Sequence, residues 1–497
     1  MGKYSKGNYD GPNGVHGVPL WRIAGFALNN TATNIYMMTM SYIAYFLTGF
    51  VGASVVLAGS FSMIMRIWDG VTDPIVGMLV DKTNGKFGKN RPFIVIGNVI
   101  LFVASFIMFN VTPRLPEAAR LPFFFLINAI YYLGYTCQCV VTKSAQSCMT
   151  NDPKQRPLFT IFDGTYNTVV FAVAAIYVTG PLMNKYGSFT SQGLFTEMQL
   201  TFGIISAVFT VIAVISIAPK DNSKYFGTGQ AQKIGLKDYA DVLMHNRAIQ
   251  MLVLSASTDK LGTSARSGAP ATVLYGIIAG NIALSGIISG YTSIPNFLFL
   301  LLGVGIIATR LGQRRAMLLG SWGAVIGNAL LMALWWFGDA TTLSLPGAEG
   351  YSGLTFFTVA FVVLYLVTQG LQGISGNIVI PMTADCADYE TYRSGKYMPG
   401  LMGTLFSFVD KMVSSLAPFI ASLMFAAIGF KEEMPDVGTP LTPQLKFVGI
   451  FLSFGLILIG SIVNLIAMKF YPLNKEKMEA IQDEIAAIKA KAMSGAA

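Results

Sequence analysis

Charge is what this chain has least of. Asp, Glu, Lys and Arg make up 12% of its 497 residues, about half the roughly 25% usual in globular domains, which excludes a conventional water-soluble surface. Histidine is rarer still, with only His16 and His245, so neither a histidine-rich metal centre nor paired-histidine chemistry is available. The four cysteines, Cys137, Cys139, Cys148 and Cys386, fall within or at the ends of apolar stretches, and C-x-C without neighbouring histidines lacks zinc-site spacing. Buried thiols are the expectation. No H-E-x-x-H and no G-x-S-x-G occurs, which argues against a polytopic membrane enzyme such as a glycosyl or acyl transferase. The net charge of +9 is scattered over short segments between apolar runs and forms no aromatic-interleaved basic stripe, so nucleic acid is not an expected partner.

What the chain has in abundance is hydrophobic length. With 53% hydrophobic residues and 51 glycines, runs long enough to cross a bilayer recur at 20–50, 54–80, 93–111, 121–149, 158–183, 198–218, 249–278, 284–309, 315–337, 353–384, 400–430 and 447–470. Such helices satisfy their own backbone in lipid, and prolines 74, 270, 295, 381 and 418 predict gentle hinges. The expected fold class is therefore an all-α polytopic membrane protein of twelve transmembrane helices in two six-helix halves. Residues 1–219 form the first half, 220–246 a central loop, 247–470 the second half and 471–497 a charged amphipathic tail. The polar start does not read as a cleavable signal. Lysine and arginine collect in the even loops, as in Lys82, Lys86, Lys89 and Arg91, placing both termini in the cytoplasm of a cell inner membrane. A functional monomer embedded in lipid is expected.

Two acids stand out. Asp69 and Asp73 lie four residues apart in the second run, on one face of a helix, and an aspartate at the bilayer centre costs roughly 2.5 to 3.5 kcal/mol, so the pair reads as a site for a cation or a shared proton. A purely structural alternative pairs Asp69 with Arg66 or with Lys411 as a helix lock. In the seventh run Asp259, Lys260 and Arg266 concentrate further charge, and Arg266 is a candidate for the solute path. No cofactor is expected beyond Na+ or H+ as coupling ion, with Na+ held at Asp69 and Asp73, since hard cations take oxygen ligands.

Around that pair the residues resemble a known family. Arg66-Ile-Trp-Asp69-Gly-Val-Thr-Asp73-Pro74 followed by Gly88-Lys89-Asn-Arg91-Pro92 is similar to the melibiose-carrier-like glycoside-pentoside-hexuronide:cation symporters of the major facilitator superfamily. The run Gly77 to Asp81-Lys82 with Gly85-Lys86 resembles the superfamily's loop signature with one extra residue. Asn151-Asp152 to Arg156, Ala384-Asp385 to Glu390, Asp410-Lys411 and Tyr471-Pro-Leu-Asn extend the likeness over nearly the whole chain.

The resemblance implies symport of a sugar with Na+ or H+ by alternating access, with Asp69, Asp73 and Thr136 as cation ligands and Lys411 as an interacting charge beside Arg66. The family's sugar-holding acids fall on Thr33, near Asn30 and Asn34, and on Cys139; an aromatic becomes Lys143, and an arginine becomes Gly164 beside Asp163. These departures put a galactoside in question. Thr136, Cys139 and Lys143 share one stripe of the fourth helix, about 10 Å long, and Lys143 suits a carboxylate or sulfonate unless it pairs with Asp163 or snorkels to the interface. Asp81, Lys82, Lys86, Arg91, Asp152 and Arg156 are the expected cytoplasmic gate. The function expected is cation-coupled symport of a sugar or glycoside, with an acidic group such as a uronide or sulfonated sugar; the alternatives are a neutral glycoside or oligosaccharide, or a cation-linked lipid carrier.

Overall fold

Apart from one two-stranded ribbon, Tyr9–Asp10 against His16–Gly17, the regular structure is helical. The computed structural model describes residues 9–10, 16–83, 85–150, 155–222, 225, 236–302, 307, 309–394, 399–474 and, in the tail, 476–478, 480, 481 and 484. Among these, nine helices are long and apolar enough to span a membrane, and the chain is a multi-pass membrane protein.

In the first unit, Met1–Gln230 with Asn281–Ser293 and Phe425–Thr439, the principal helices are α1 Leu20–Met40, α2 Val55–Lys82, α3 Arg91–Asn110, α4 Glu117–Met149, α5 Arg156–Tyr177 and α6 Gln192–Ile217. In the second unit, Ala231–Gly280, Ile294–Met424 and Pro440–Ala497, they are α7 Arg247–Ala265, α8 Ala283–Leu302, whose N-terminal part belongs to the first unit, α9 Gln313–Phe337, α10 Phe356–Ser394, α11 Pro399–Ser414 continued by Leu416–Ala427, and α12 Leu456–Phe470 preceded by Pro443–Ile450. The principal boundary, between Gln230 and Ala231, falls inside the expected central loop. The helix Leu236–His245 goes with the second unit, and two short later segments go with the first.

Local chemistry sets the ends. The Ser54 side chain accepts from the Leu57 N–H at 3.3 Å and starts α2, and the Asn246 side chain accepts from Ile249 N–H at 3.1 Å and starts α7, each satisfying an orphan donor. The seventh apolar run, expected as one span, breaks where Gly268 adopts φ +70 and Pro270 follows as the chain restarts at Ala269–Ala271, a left-handed position that favours glycine. Pro295 and Pro381 instead lie inside unbroken α8 and α10. Helix α10 also runs ten residues beyond the apolar stretch, since no breaker precedes Gly395.

Each unit packs in the same order. In the first, α1 packs on α6, α5 and α4, α3 on α4 and α6, and α2 on α4; in the second, α7 packs on α12, α11 and α10, and α9 on α10 and α12. Glycines permit the closest crossings. A Cβ on Gly97 would sit 2.9 Å from the Gly134 carbonyl oxygen, and one on Gly134 would sit 2.8 Å from that of Gly97, so α3 and α4 meet backbone to backbone. Gly320 does the same for α9 against Leu371 of α10, where Gly327 also makes room for the Thr368 side chain, and Gly262 and Gly460 do so for α7 against α12. In lipid, where burial of apolar surface gives no net drive, close packing of small residues is what associates helices.

Candidate functional site

Asp69 is buried to 0% exposure where α2 crosses α4. The Thr136 hydroxyl donates to its Oδ1 at 3.1 Å, and the Thr72 hydroxyl, one helical turn along, lies 3.1 Å from that of Thr136. Arg66 Nη1 stands 3.7 Å from Asp69 Oδ2, an ion pair along α2 that offsets part of the carboxylate's charge. Asp73, the next turn of the same face, is half-buried. Thus α2 and α4 bring together two carboxylates and two hydroxyls, all hard oxygen donors of the kind that Na+ takes and that a proton can also occupy. Among the described residues no group of three or more His, Cys, Asp or Glu gathers as a metal site.

A second polar array joins α1 to α5. Asn30 Nδ2 donates to Asp163 Oδ1 at 2.7 Å, Asn167 Nδ2 donates to the same oxygen at 2.9 Å, and Asn34 Nδ2 donates to Asn167 Oδ1 at 3.1 Å. All four side chains are half-buried, so they are organised yet reachable. Thr33, on the next face of α1, is fully buried; its hydroxyl donates to Gln138 Oε1 at 2.6 Å, while Gln138 Nε2 donates to the Ile94 carbonyl at 3.2 Å. That contact belongs to the packing of α1, α3 and α4. Cys139 is half-buried on α4, one turn from Tyr135, whose hydroxyl neighbours both its thiol and Arg66. Lys143 lies on α4, but its side chain falls outside the described residues, as do the side chains of Asp81 and Arg156 and the whole of Asp152.

In the second unit Lys260 and Asp410 form an ion pair between α7 and α11, and the buried Asp259 accepts from Gln372 Nε2 at 3.4 Å. The Gln369 amide oxygen accepts from the Arg266 guanidinium, which also lies 5.4 Å from the centroid of the Tyr365 ring. Lys411 is half-buried on α11, next to Asp410.

Of the expected gate, Lys82 and Lys86 are exposed, whereas Arg91 is tied to a residue that sequence reasoning misses. Asp221, just past α6, accepts from the backbone N–H groups of Lys89, Asn90 and Arg91 at 2.9 to 3.1 Å, from Asn90 Nδ2 at 2.9 Å, and from Arg91 Nε at 3.4 Å. It caps the start of α3 from another helix. Gly88, at φ +80, makes room, since a Cβ there would sit 2.3 Å from Asp221. The available signal is a lone acid immediately after an apolar run, opposite a glycine before Arg91-Pro92. Sequence reasoning also misses Asn167, though it lies one turn from Asp163 on the same helical face.

A family model described as "MFS/sugar transport protein" matches residues 25–475. Among curated proteins, the chain is 24% identical over 476 residues to a glucuronide carrier protein homolog of Escherichia coli strain K12, covering 94% of this chain and 95% of that one. It is 23% identical to an isoprimeverose transporter of Lactiplantibacillus pentosus, covering 94% and 91%. Among solved structures it resembles a mutant of the nucleoside transporter NupG, with a TM-score of 0.61 at 13% identity, covering 90% of this chain and 99% of that one, a likeness of fold.

Proposed function

Since the chain belongs to the MFS/sugar transport protein family, within the glycoside-pentoside-hexuronide:cation symporters of the major facilitator superfamily, we propose that it carries a glycoside bearing an acidic group across a cell inner membrane, driven by a cation bound at Asp69, Asp73 and Thr136. The single observation that carries this reading is the Asp69 carboxylate, wholly buried on α2 and reached across the helix crossing by the Thr136 hydroxyl at 3.1 Å. Here one oxygen faces hydroxyl ligands that also suit a small cation.

In this account the ion offsets the mutual repulsion of Asp69 and Asp73 and draws α2 toward Thr136 on α4. Helix α4 carries Cys139 and Lys143 one and two turns further on, so ordering it readies the solute side. Because binding energies are linked, solute must tighten the cation by the same factor. The Asn30, Asp163, Asn167 and Asn34 array supplies amide donors and a carboxylate acceptor for sugar hydroxyls, while Lys143 selects the anionic group. The relative named as a glucuronide carrier protein homolog supports an acidic solute. A neutral glycoside has one observation in its favour: Asp163 places a carboxylate among the reachable polar groups, and a carboxylate disfavours an anion nearby.

Uptake into proteoliposomes tests both readings, with sodium and pH gradients imposed separately and labelled neutral glycosides, uronides and sulfonated sugars offered in turn. The account expects accumulation of an acidic glycoside under one of the two gradients and its loss in Lys143→Ala. Accumulation of only neutral glycosides would decide for the alternative, and no gradient-driven accumulation of any would overturn symport.

A further inference from the structure

Far from these residues the first unit holds an open cleft of about 600 Å³, lined by Asn110, Arg114, Tyr186, Gln192, Glu197, Leu200 and Ile204 among others. It lies where α3 ends and α6 begins, at the opposite end of those helices from Arg91 and Asp221. Its charges are unequally satisfied. Glu197 accepts from Lys185 Nζ at 2.5 Å and from the Tyr186 hydroxyl at 2.7 Å, with the Tyr177 hydroxyl at 3.4 Å. Arg114 is exposed and makes no ion pair among the described residues. The cleft therefore carries one uncompensated guanidinium, a group whose planar fork of donors matches a phosphate.

The floor of the cleft is apolar and does not stop at its rim. Leu200 and Ile204 continue along α6 into Val208, Val211 and Ile215, all exposed, between 37% and 60%. Steps of three and four residues put these five on one face, a stripe about 22 Å long at 1.5 Å per residue. That exceeds the roughly 15 Å of hydrocarbon in one leaflet. Tyr177 and Tyr186 lie at the cleft end of the stripe, where amphipathic rings mark a membrane interface. An uncompensated cation above a lipid-length apolar stripe has the polarity of one phospholipid molecule standing upright.

We propose that this cleft binds a membrane phospholipid, with its phosphodiester on Arg114 and Gln192 and one acyl chain along Leu200 to Ile215. The site is independent of the cation and solute groups. It ties the end of α3 and Tyr186 to the start of α6 at that end of the first unit.

Native mass spectrometry of the full chain in detergent, titrated with dioleoyl phosphatidylglycerol, reads the proposal directly. The wild type is expected to retain one lipid that survives activation, and Arg114→Gln and Ile204→Glu are each expected to reduce that population about tenfold while melting within a few degrees of wild type. Soluble glycerol 3-phosphate at millimolar concentration should not displace the lipid. Equal retention by both variants, absence of a retained lipid in the wild type, or displacement by glycerol 3-phosphate would overturn the proposal, the last by assigning Arg114 to a soluble anion.

Discussion

The two units share a packing scheme and differ in chemistry, and within the helices the sharpest contrast is between α2, in the first unit, and α8, which runs from the first unit into the second. Helix α2 carries Arg66, Asp69, Asp73, Asp81 and Lys82, whereas the Ala283–Leu302 segment that forms α8 has no ionisable side chain apart from Tyr291. The glycine crossings that repeat between α3 with α4 and α9 with α10 show that the architecture asks only for small residues at fixed places. Charge in the spans follows no such repeat. In the first unit Asp69 meets a hydroxyl as well as Arg66, and Asp163 meets two amides; in the second, Lys260 pairs with Asp410, while Asp259 and Arg266 each meet a neutral glutamine amide. The difference is that polar side chains of α1, α2, α4 and α5 gather into arrays across helix crossings, while the contacts described in the second unit are separate pairs.

Substitutions can break that contrast, and the largest effect belongs to the first unit. Asp73→Asn is expected to lower gradient-driven accumulation at least tenfold, a change of about 1.4 kcal/mol in coupling, while leaving the thermal midpoint in detergent nearly unchanged. Asp163→Asn should raise the solute concentration for half-maximal uptake about tenfold, in keeping with roughly 1.5 to 3 kcal/mol for a hydrogen bond to a charged group, and should leave cation dependence intact. In the second unit Lys260→Ala should instead act on stability. It leaves the buried Asp410 without its partner and costs about 1 to 3 kcal/mol, read as a lowered thermal midpoint, and the double variant with Asp410→Ala should recover much of the loss. Asp221→Ala removes the acceptor shared by three backbone donors and should cost about 1 to 2 kcal/mol. Thr136→Val sharpens the comparison most finely, raising the cation concentration for half-maximal uptake by a factor of about two to ten, the worth of one hydrogen bond.

Much of this is legible in the sequence because the bilayer leaves a chain few options. Runs of about twenty apolar residues fix helices, and α2 and α4 end within a few residues of the stretches expected for them. Family likeness pairs Asp69 with Thr136, and the structure brings them to 3.1 Å. Spacing alone does not show where polar residues point. Asn30, Thr33 and Asn34 read alike in the sequence, yet Thr33 turns into the packing against Gln138 and the two asparagines face α5. The break at Gly268 exceeds the gentle hinge expected at Pro270, since composition does not report that the preceding glycine takes a positive φ. Asp221 escapes because its acceptor role is toward backbone N–H groups more than 100 residues away, a contact with no local signature. Lys143, Asp81, Asp152 and Arg156 remain expectations from the sequence.

The central claim separates moving a solute from concentrating it. Solute exchange across proteoliposomes at equal concentrations needs no ion gradient, whereas uphill accumulation, under the proposed symport, draws on an ion bound at Asp69. Measured side by side in Asp69→Asn, exchange should persist within a fewfold of wild type while accumulation under an imposed sodium or proton gradient disappears. Accumulation at the wild-type level in that variant would contradict the account.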